Sequence, residues 1–304
     1  MEDIVLYCCT YKKDLNRVLK MIESVEKHNK DSIKLFISVP ENDLQIFNNY
    51  LDKKKLTLIS ELEILQNSPR LNLIELYEAP GWIRQQVIKS EFWRLNFSDN
   101  YLVIDSDCIF IRDFYRSDFL AADGTPYSVI HEGREFLQSV TRFGPKRARN
   151  HFLNDRIPIK KALQRDGVTY DYGYAPFLWS SKVWNSFYDN YLTPNNLSFL
   201  DAVKFCPSEF TWYGESLLKY QAINIYPREQ LFMHYHYEHQ FWLHKLTGMK
   251  EQVLSLDYMG IVKQSNWETW IDFDKSEKKF LSRLVRGIKR LLKKLKFYFS
   301  ILFL

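Results

Sequence analysis

The segment YLVIDSDCIF (residues 101–110) decides the interpretation of this chain, because it places two carboxylates directly after an apolar strand. Tyr101–Ile104 is an uninterrupted apolar run, which is typical of a buried parallel strand. Asp105 and Asp107 follow at i and i+2, so their side chains leave the backbone on one side if the extended geometry continues. Ligands bind at the carboxyl ends of strands in an open parallel sheet. The segment therefore predicts a sheet edge that carries two acidic groups.

Two carboxylates at such an edge suit a hard divalent cation, which prefers oxygen ligands and readily bridges to diphosphate oxygens. Asp105 and Asp107 therefore predict a Mn²⁺ or Mg²⁺ site. A cation there would stabilise the negative charge that develops on a departing nucleoside diphosphate. The same acidic pattern also occurs at solvated strand ends and in turns, so the surrounding segments have to decide between the two interpretations.

Strand and helix patterns alternate from this segment back to the amino terminus. Apolar runs at residues 4–10 and 33–39 indicate buried strands, and helical apolar spacing follows each of them. Residues 56–65 predict a short strand and a turn, and residues 81–92 predict a helix. This alternation implies an α/β fold, with a mostly parallel sheet flanked by helices. The sequence is irregular and polar from about 120 to 170, and a loop then enters a strand near residue 177.

The charge of the chain is divided unevenly. The net charge is +5 over 304 residues, yet residues 275–296 hold ten Lys or Arg and one Glu, which leaves 32 basic and 36 acidic residues elsewhere. A nucleic-acid-binding face on the body is therefore not indicated. The four cysteines have no metal-binding spacing and are expected to be buried and reduced. The acidic start, MEDIVLYCC, has no secretory pattern and no apolar run spans a membrane, so a cytoplasmic body is expected.

Three segments occur in the order GWIRQQVIKSEF (81–92), YLVIDSDCIFIRDF (101–114) and SEFTWYG (208–214). Together they resemble a bacterial family of unknown function, DUF6492, with GT-A-like character. They match a Gly-Trp-x-x-Gln-Gln-x-x-Lys helix, a Leu-x-x-Asp-Ser-Asp strand and a Ser-Glu-x-x-x-Tyr-Gly segment, and the likeness spans roughly residues 1–240. The resemblance implies a GT-A-like (Rossmann-like) domain over 1–274 that transfers a hexosyl or N-acetylhexosaminyl group from a nucleotide-sugar donor, with a UDP-sugar expected. In that pattern Asp107 binds the metal, and Asp105 contacts the ribose or a metal-bound water.

Two further groups of residues are candidates for holding the donor. Gln86 and Lys89 are i and i+3 on the predicted helix and can share one face, where Lys89 could contact the diphosphate as a point charge. The alternative is an exposed polar helix face. Thr10 and Asp14 follow the first strand, where a GT-A enzyme holds its nucleotide base; both residue types also serve as helix N-caps, and both interpretations stand at this point.

Glu209 is the candidate catalytic base, since inverting transfer needs a carboxylate that deprotonates the acceptor hydroxyl. The alternative is a first-turn glutamate that stabilises the helix dipole, with Pro207 in the first turn. GT-A folds often add a late histidine to the metal site, which makes His234 and then His236 further candidate metal ligands; a structural role is the alternative. Tyr172, Tyr174 and Trp179 are candidates for an acceptor platform or for the core.

The carboxyl-terminal 275–304 segment predicts a basic amphipathic helix. From Phe280, apolar residues recur with helical spacing at 280, 281, 284, 285, 288, 291, 292 and 295, and basic residues occupy the other face. This pattern favours a helix that lies on an anionic membrane surface, and the alternative is packing on the body or on a partner. A position on the inner face of the cytoplasmic membrane would suit a glycan or lipid-linked acceptor, as in the synthesis of lipopolysaccharide or capsule.

Two other classes remain open from the sequence. A metal-dependent nucleotidyl- or phosphotransferase also uses paired carboxylates, although the chain has no Gly-rich phosphate loop. A non-catalytic membrane-associated binding protein is the third class. Metal-dependent hydrolysis of UDP-sugars separates the first class from the third, and release of UDP rather than pyrophosphate separates the first from the second.

Overall fold

The computed structural model describes residues 2–134, 146–236, 238–265 and 271–273, together with 285, 287–292, 294, 295 and 298. The strands are β1 (Glu2–Cys9), β2 (Leu35–Val39), β3 (Thr57–Ser60), β4 (Ser98–Val103), β5 (Cys108–Phe110), β6 (Ser128–Val129), β7 (Phe177–Ser180), β8 (Pro227–Arg228), β9 (Phe232–Tyr235) and β10 (Gly260–Lys263).

The helices lie between these strands. The α-helices are α1 (Leu15–His28), α2 (Leu44–Tyr50), α3 (Glu61–Leu65), α4 (Leu73–Glu78), α5 (Gly81–Glu91), α6 (Lys146–Ala162), α7 (Ser181–Phe187), α8 (Phe199–Phe205), α9 (Glu209–Tyr220), α10 (Glu238–Leu246) and α11 (Glu251–Asp257). Short 3-10 helices cover Lys12–Asp14, Glu41–Asp43, Phe92–Leu95 and Arg116–Asp118, and Tyr188–Leu192 is a π-helical turn.

The central sheet has five strands in the order β3-β2-β1-β4-β7. The first four are parallel to their neighbours, whereas β7 runs antiparallel to β4 at one edge. The predicted α/β class is therefore confirmed, and the expected mostly parallel sheet is a mixed sheet. Since β1 and β4 are adjacent and parallel, their carboxyl ends meet at one edge. This places the residues after Cys9 beside those after Val103.

Burial on both faces explains the continuous apolar strands. Residues 4–8 of β1 are completely buried, because helices and aromatic side chains cover the sheet. Tyr7 stacks on Phe92 with the ring centroids 3.8 Å apart, and Tyr101 meets Trp179 edge to face at 5.9 Å. Such aromatic pairs contribute roughly 0.5–1.5 kcal/mol each beyond their buried area. Trp179 therefore belongs to the core, which was one of the two roles predicted for it.

A second, three-stranded sheet joins distant parts of the chain. Its order is β5-β10-β9; β10 pairs antiparallel with β5 and parallel with β9. Val262 is the partner of Cys108 on one side and of His234 on the other. As a result, the segment after β10 runs past Asp107, a contact that joins residues 158 positions apart.

Three local predictions are wrong. Residues 146–162 form helix α6, which packs against α9, although the polar sequence indicated irregular structure. Residues 61–65 form helix α3 rather than a turn: Ser60 accepts from the amide of Leu62 at 3.0 Å, and Glu63 accepts from the amide of Ser60 at 2.9 Å. This capping box supplies hydrogen-bond acceptors to backbone amides at the helix start that have no partner within the helix. Pro207 precedes the N-cap, Ser208, and so lies outside the first turn of α9.

The four cysteines are buried and unpaired, as expected. None of the helices in the described ranges is long and apolar enough to cross a bilayer. Much of the predicted amphipathic helix, including Phe280, Leu281 and Leu284, lies outside the described residues. Within it, residues 287–292 and 294–295 are helical.

Candidate active site at the carboxyl edge of the central sheet

A buried ion pair joins two of the sequence segments. Helix α5 carries Lys89 in its last turn, and the Lys89 Nζ lies 2.5 Å from Oδ1 of Asp105, just beyond β4. Burial alone would lower the pKa of Lys89, but the charges of Asp105 and Glu209 outweigh it, and the net pKa is raised. Lys89 is therefore a fixed cation at the sheet edge. Its predicted alternative, an exposed polar helix face, is wrong for this side chain.

Glu209 joins the same group from the start of α9. Its backbone amide donates to Oε1 of Gln86 at 3.2 Å, which ties the start of α9 to α5. Burial raises the pKa of Glu209; the Lys89 charge lowers it and the Asp105 charge raises it further. The neighbouring Gln85 donates to the carbonyl of Cys9 at 3.2 Å, at the end of β1. Three segments far apart in sequence therefore meet at one edge.

Asp107 is held by the chain that follows β10. Its Oδ2 accepts the amide of Ser265 at 2.8 Å. Burial raises the pKa of Asp107 to about 7, and the charges of Asp105 and Asp14 add to the increase, while the hydrogen bond from Ser265 and the charge of Arg17 oppose it. Like charges crowded into a partly desolvated site disfavour ionisation, and a bound cation reverses that effect.

The residues after β1 form a third part of the site. Asp14 lies in the 3-10 turn at Lys12–Asp14 and pairs with Arg17, Nη1 to Oδ1, at 2.6 Å. Arg17 also pairs with Asp272, Nη2 to Oδ1, at 2.7 Å. Burial raises the pKa of Asp14, and Arg17 and a hydrogen bond from Ser106 oppose that increase. Helix capping was one of the two roles left open for Thr10 and Asp14. Asp14 is the N-cap residue of α1, but its side chain makes no cap hydrogen bond. The buried Thr10 hydroxyl has no hydrogen-bond partner among the described residues.

The residues that the sequence interpretation missed here are Arg17, Ser265 and Asp272. Arg17 occupies a helical position between the apolar residues Leu15 and Val18, where a charge signals a buried partner. Ser265 and Asp272 carry no local signal, because their contacts depend on how β10 returns the chain to the site. Ser265 binds Asp107 through its backbone amide, which almost any residue type would offer, so the residue type at this position does not indicate the contact.

The two histidines form a separate group. The rings of His234 and His236 lie 4.2 Å apart, and Tyr174 contacts both, at 5.2 and 4.2 Å between centroids. Burial lowers the pKa of His234 well below its usual value and that of His236 to about 4. His234 is two strands from Cys108 in the second sheet, a backbone separation of about 10 Å. The ring contacts therefore join the two histidines to Tyr174, and their role as metal ligands stays a prediction.

The donor set at the sheet edge suits a cation that is shared with a substrate. Among the described residues, no three His, Cys, Asp or Glu side chains are arranged to hold a metal ion by themselves. Mg²⁺ is commonly held by one or two carboxylates, with waters and substrate phosphates completing its shell. Asp105 and Asp107 fit that arrangement, since each has an oxygen beyond the one engaged by Lys89 or Ser265.

The Tyr-Gly part of the third segment has a packing role. The ring of Tyr172 packs directly on the backbone of Gly214. A Cβ at this position would lie 2.0 Å from Cδ1 of Tyr172, so only glycine fits without a shift of the ring. The Tyr172 hydroxyl donates to Glu215 at 2.7 Å, and Arg165 pairs with the same carboxylate. Tyr172 therefore belongs to a buried polar network rather than to an open acceptor platform. The amide of Ser180 donates to the hydroxyl of Tyr213 at 2.8 Å.

One further buried carboxylate lies near this edge. Glu61, the first residue of α3, is buried with Arg84 3.7 Å away. Burial raises the pKa of Glu61 to about 7, with Asp43 adding to the increase and Arg84 opposing it.

A large open cleft of about 660 Å³ lies away from this edge, at the amino ends of β1 and β4, where Asp3 and Asn100 line it.

Comparison with known proteins places the chain in a family. No curated protein matches it. The model of the family of unknown function DUF6492 matches residues 3–247, which contain the Lys89–Asp105 pair and Glu209. The match ends before β10, the strand whose continuation supplies the amide that holds Asp107. The chain belongs to the DUF6492 family.

Proposed function

We propose that the protein is a metal-dependent glycosyltransferase of the GT-A type that uses a nucleotide-diphosphate sugar, with UDP as the expected nucleotide. The observation that carries the proposal is the meeting of Lys89, Asp105 and Glu209, from three distant segments, at the carboxyl edge of β1 and β4. Ligands bind at this edge in α/β sheets. The acidic pair beside a fixed lysine is the charge pattern that a diphosphate and a divalent cation require together.

Each residue has a role in the proposed reaction. Asp105 and Asp107 would hold Mn²⁺ or Mg²⁺, which supplies Lewis-acid stabilisation of the leaving diphosphate. Lys89 would contribute a fixed positive charge toward the same oxygens, at no cost of reorganisation because Asp105 already orients it. Glu209 would accept the proton of the acceptor hydroxyl as that oxygen attacks the anomeric carbon. Its raised pKa favours proton uptake, as a general base requires.

Donor recognition would involve the end of β1. The buried Thr10 hydroxyl lacks a hydrogen-bond partner among the described residues, and a donor nucleotide that reached it would supply one. Asp14 is oriented by Arg17 and lies close enough to Asp107 to raise its pKa. The histidines are not needed as ligands in this arrangement, and Tyr174, whose ring contacts both of them, is the remaining candidate for an acceptor contact.

The location would follow from the carboxyl-terminal segment. Residues 275–296 carry ten Lys or Arg, and each contributes about 1 kcal/mol near an anionic membrane surface. A body held on the inner face of the cytoplasmic membrane would reach glycan or lipid-linked acceptors of surface polysaccharide synthesis. A chain that ends before Lys275 should remain active and should no longer sediment with membranes; continued sedimentation would contradict the membrane role.

The direct test combines binding and product identity. Nucleotide sugars are screened by thermal shift with and without Mn²⁺, and the released nucleotide is then identified. We expect UDP rather than pyrophosphate, and a stabilisation by UDP-sugar that requires the metal. Asp107→Asn should abolish both effects while the protein stays folded. Asp99→Asn, at the exposed amino-terminal end of β4, is the matched control and should keep both. Full activity of Asp107→Asn, or release of pyrophosphate, would refute the assignment.

A further inference from the structure

A row of exposed apolar side chains covers helices α10 and α11. The ridge consists of Leu243, Leu246, Met249, Val253 and Leu256, which are 40–81 % exposed. Its members are three or four residues apart, so each helix contributes two on one face. Trp242 and Leu254 on the same helices are buried and hold them to the body. Each ridge residue therefore presents apolar surface to solvent, and clustered exposed apolar surface is typical of an interaction site.

The described part of the carboxyl-terminal helix lies against the same region. Arg290 pairs with Glu238, the buried first residue of α10. The described apolar side chains of that helix, at positions 285, 288, 291, 292 and 295, remain 44–59 % exposed. A helix that packed on the body for stability would bury its apolar face. Here a basic residue contacts the body and the apolar side chains stay accessible.

We propose that the ridge on α10 and α11 inserts into the surface of an anionic bilayer together with the carboxyl-terminal helix. The inference rests on the proposed membrane contact of that helix, and not on the proposed sugar transfer. The charge supports a lipid occupant: residues 275–296 hold ten basic residues and one acidic residue, and the ridge segment, residues 243–256, holds Lys245 and Lys250 against Glu251. Two copies of the chain would bring two such segments together and repel, whereas anionic headgroups attract them.

A second contact constrains the orientation of the body. A single interfacial helix leaves the body free to tilt, but a ridge on two helices of the body fixes which side faces the lipid. β9 leads directly toward α10, and β10 follows α11 and continues to Ser265 at Asp107. The membrane-facing helices are therefore joined by short connections to the strands that border the acidic site. This arrangement would hold the site near a lipid-linked acceptor.

Site-specific labelling of the full-length chain tests the ridge directly. All four native cysteines are buried, so an introduced surface cysteine can be labelled selectively with an environment-sensitive fluorophore. Leu256→Cys carries the probe on the ridge, and Glu251→Cys carries it about 140° around the same helix. On vesicles of phosphatidylcholine and phosphatidylglycerol, we expect a blue shift and protection from aqueous quencher at 256 and neither at 251.

Vesicle flotation measures the contribution to binding. Leu246→Ser/Val253→Ser/Leu256→Ser should lower the partition coefficient of the full chain by roughly tenfold or more, since apolar insertion scales with buried CH₂ groups. Ile74→Ser/Phe205→Ser removes exposed apolar side chains elsewhere on the body and should leave binding unchanged. Far-UV circular dichroism verifies that each variant is folded.

The outcomes separate the proposals. An aqueous probe at 256 on a vesicle-bound protein overturns the ridge and leaves the carboxyl-terminal helix as the membrane contact. A blue shift at 256 that grows with protein concentration in the absence of vesicles assigns the ridge to a second copy and also overturns the inference. Failure of the wild-type chain to bind vesicles removes both membrane contacts, while UDP release measured in the same samples reports separately on sugar transfer.

Discussion

The Lys89–Asp105 pair makes the most specific energetic prediction. If the two side chains form one electrostatic unit, Lys89→Met and Asp105→Asn should each destabilise the protein, and the double variant should lose less than the sum of the two. Removing one partner leaves the other charge desolvated and unpaired, whereas removing both leaves neither. The double variant still separates Glu209 from Lys89, but Lys89→Met carries the same loss, so it cancels in the cycle. The quantity to measure is the coupling free energy of the double-mutant cycle.

Its magnitude follows from distance and burial. Two unit charges about 4 Å apart interact with about 4 kcal/mol at an effective dielectric constant near 20. The Lys89 side chain is 4 % exposed, but that of Asp105 is 30 % exposed, and solvent screens part of the interaction. We therefore expect a coupling of about 2 kcal/mol at pH 7.5 without metal. The exposed pair Lys55–Glu26, with Nζ and Oε2 2.9 Å apart, is the control and should show a clearly smaller coupling, because solvent screens exposed ion pairs.

Urea denaturation of the wild type, both single variants and the double variant gives the coupling, and the corresponding variants at Lys55 and Glu26 give that of the control pair. Unchanged m-values across each set show that the variants unfold comparably. A Lys89–Asp105 coupling no larger than that of Lys55–Glu26 would refute the conclusion that this pair is a fixed, desolvated unit. It would also remove the basis for assigning Lys89 to the diphosphate.

Three further predictions follow from the packing and the charges. Gly214→Ala should lower the free energy of unfolding measured in urea by about 2 kcal/mol, because the clash with the Tyr172 ring outweighs the ~1 kcal/mol gain in helix propensity. The control, Gly81→Ala, meets no atom within 4 Å and should be neutral or stabilising; equal effects of the two substitutions would contradict the packing argument. Burial raises the pKa of Glu61 to about 7, so the folded protein binds this proton more tightly than the unfolded chain and loses stability as the pH rises from about 4.5 to 7. Glu61→Gln should remove that part of the pH dependence and be the more stable protein at pH 8, and parallel stability–pH curves would disprove it. Glu209→Gln should lower kcat at least 100-fold with little change in the donor KM, and near-normal turnover would exclude a role as the base.

Local pattern was sufficient for the elements that border the site. The apolar run before Asp105 is a strand because both of its faces are covered, and its period and composition record that burial. Gly81–Glu91 is a helix as expected, although its apolar side chains are not confined to one stripe, since Lys89 is buried as well. Helix α6 was missed because its sequence is mostly polar, and its stability depends on packing against α9 that a local pattern does not encode.

The sequence by itself determined the α/β class, the order of the strands and helices around Asp105, and the presence of three family segments. These follow from hydrophobic period and residue identity, which act over a few neighbours. Only the tertiary structure decided that Lys89 faces Asp105, that Glu209 approaches both, that His234 and His236 group with Tyr174, and that β7 closes the sheet in the antiparallel direction. These contacts join residues far apart in the chain, and their geometry depends on how the whole sheet packs.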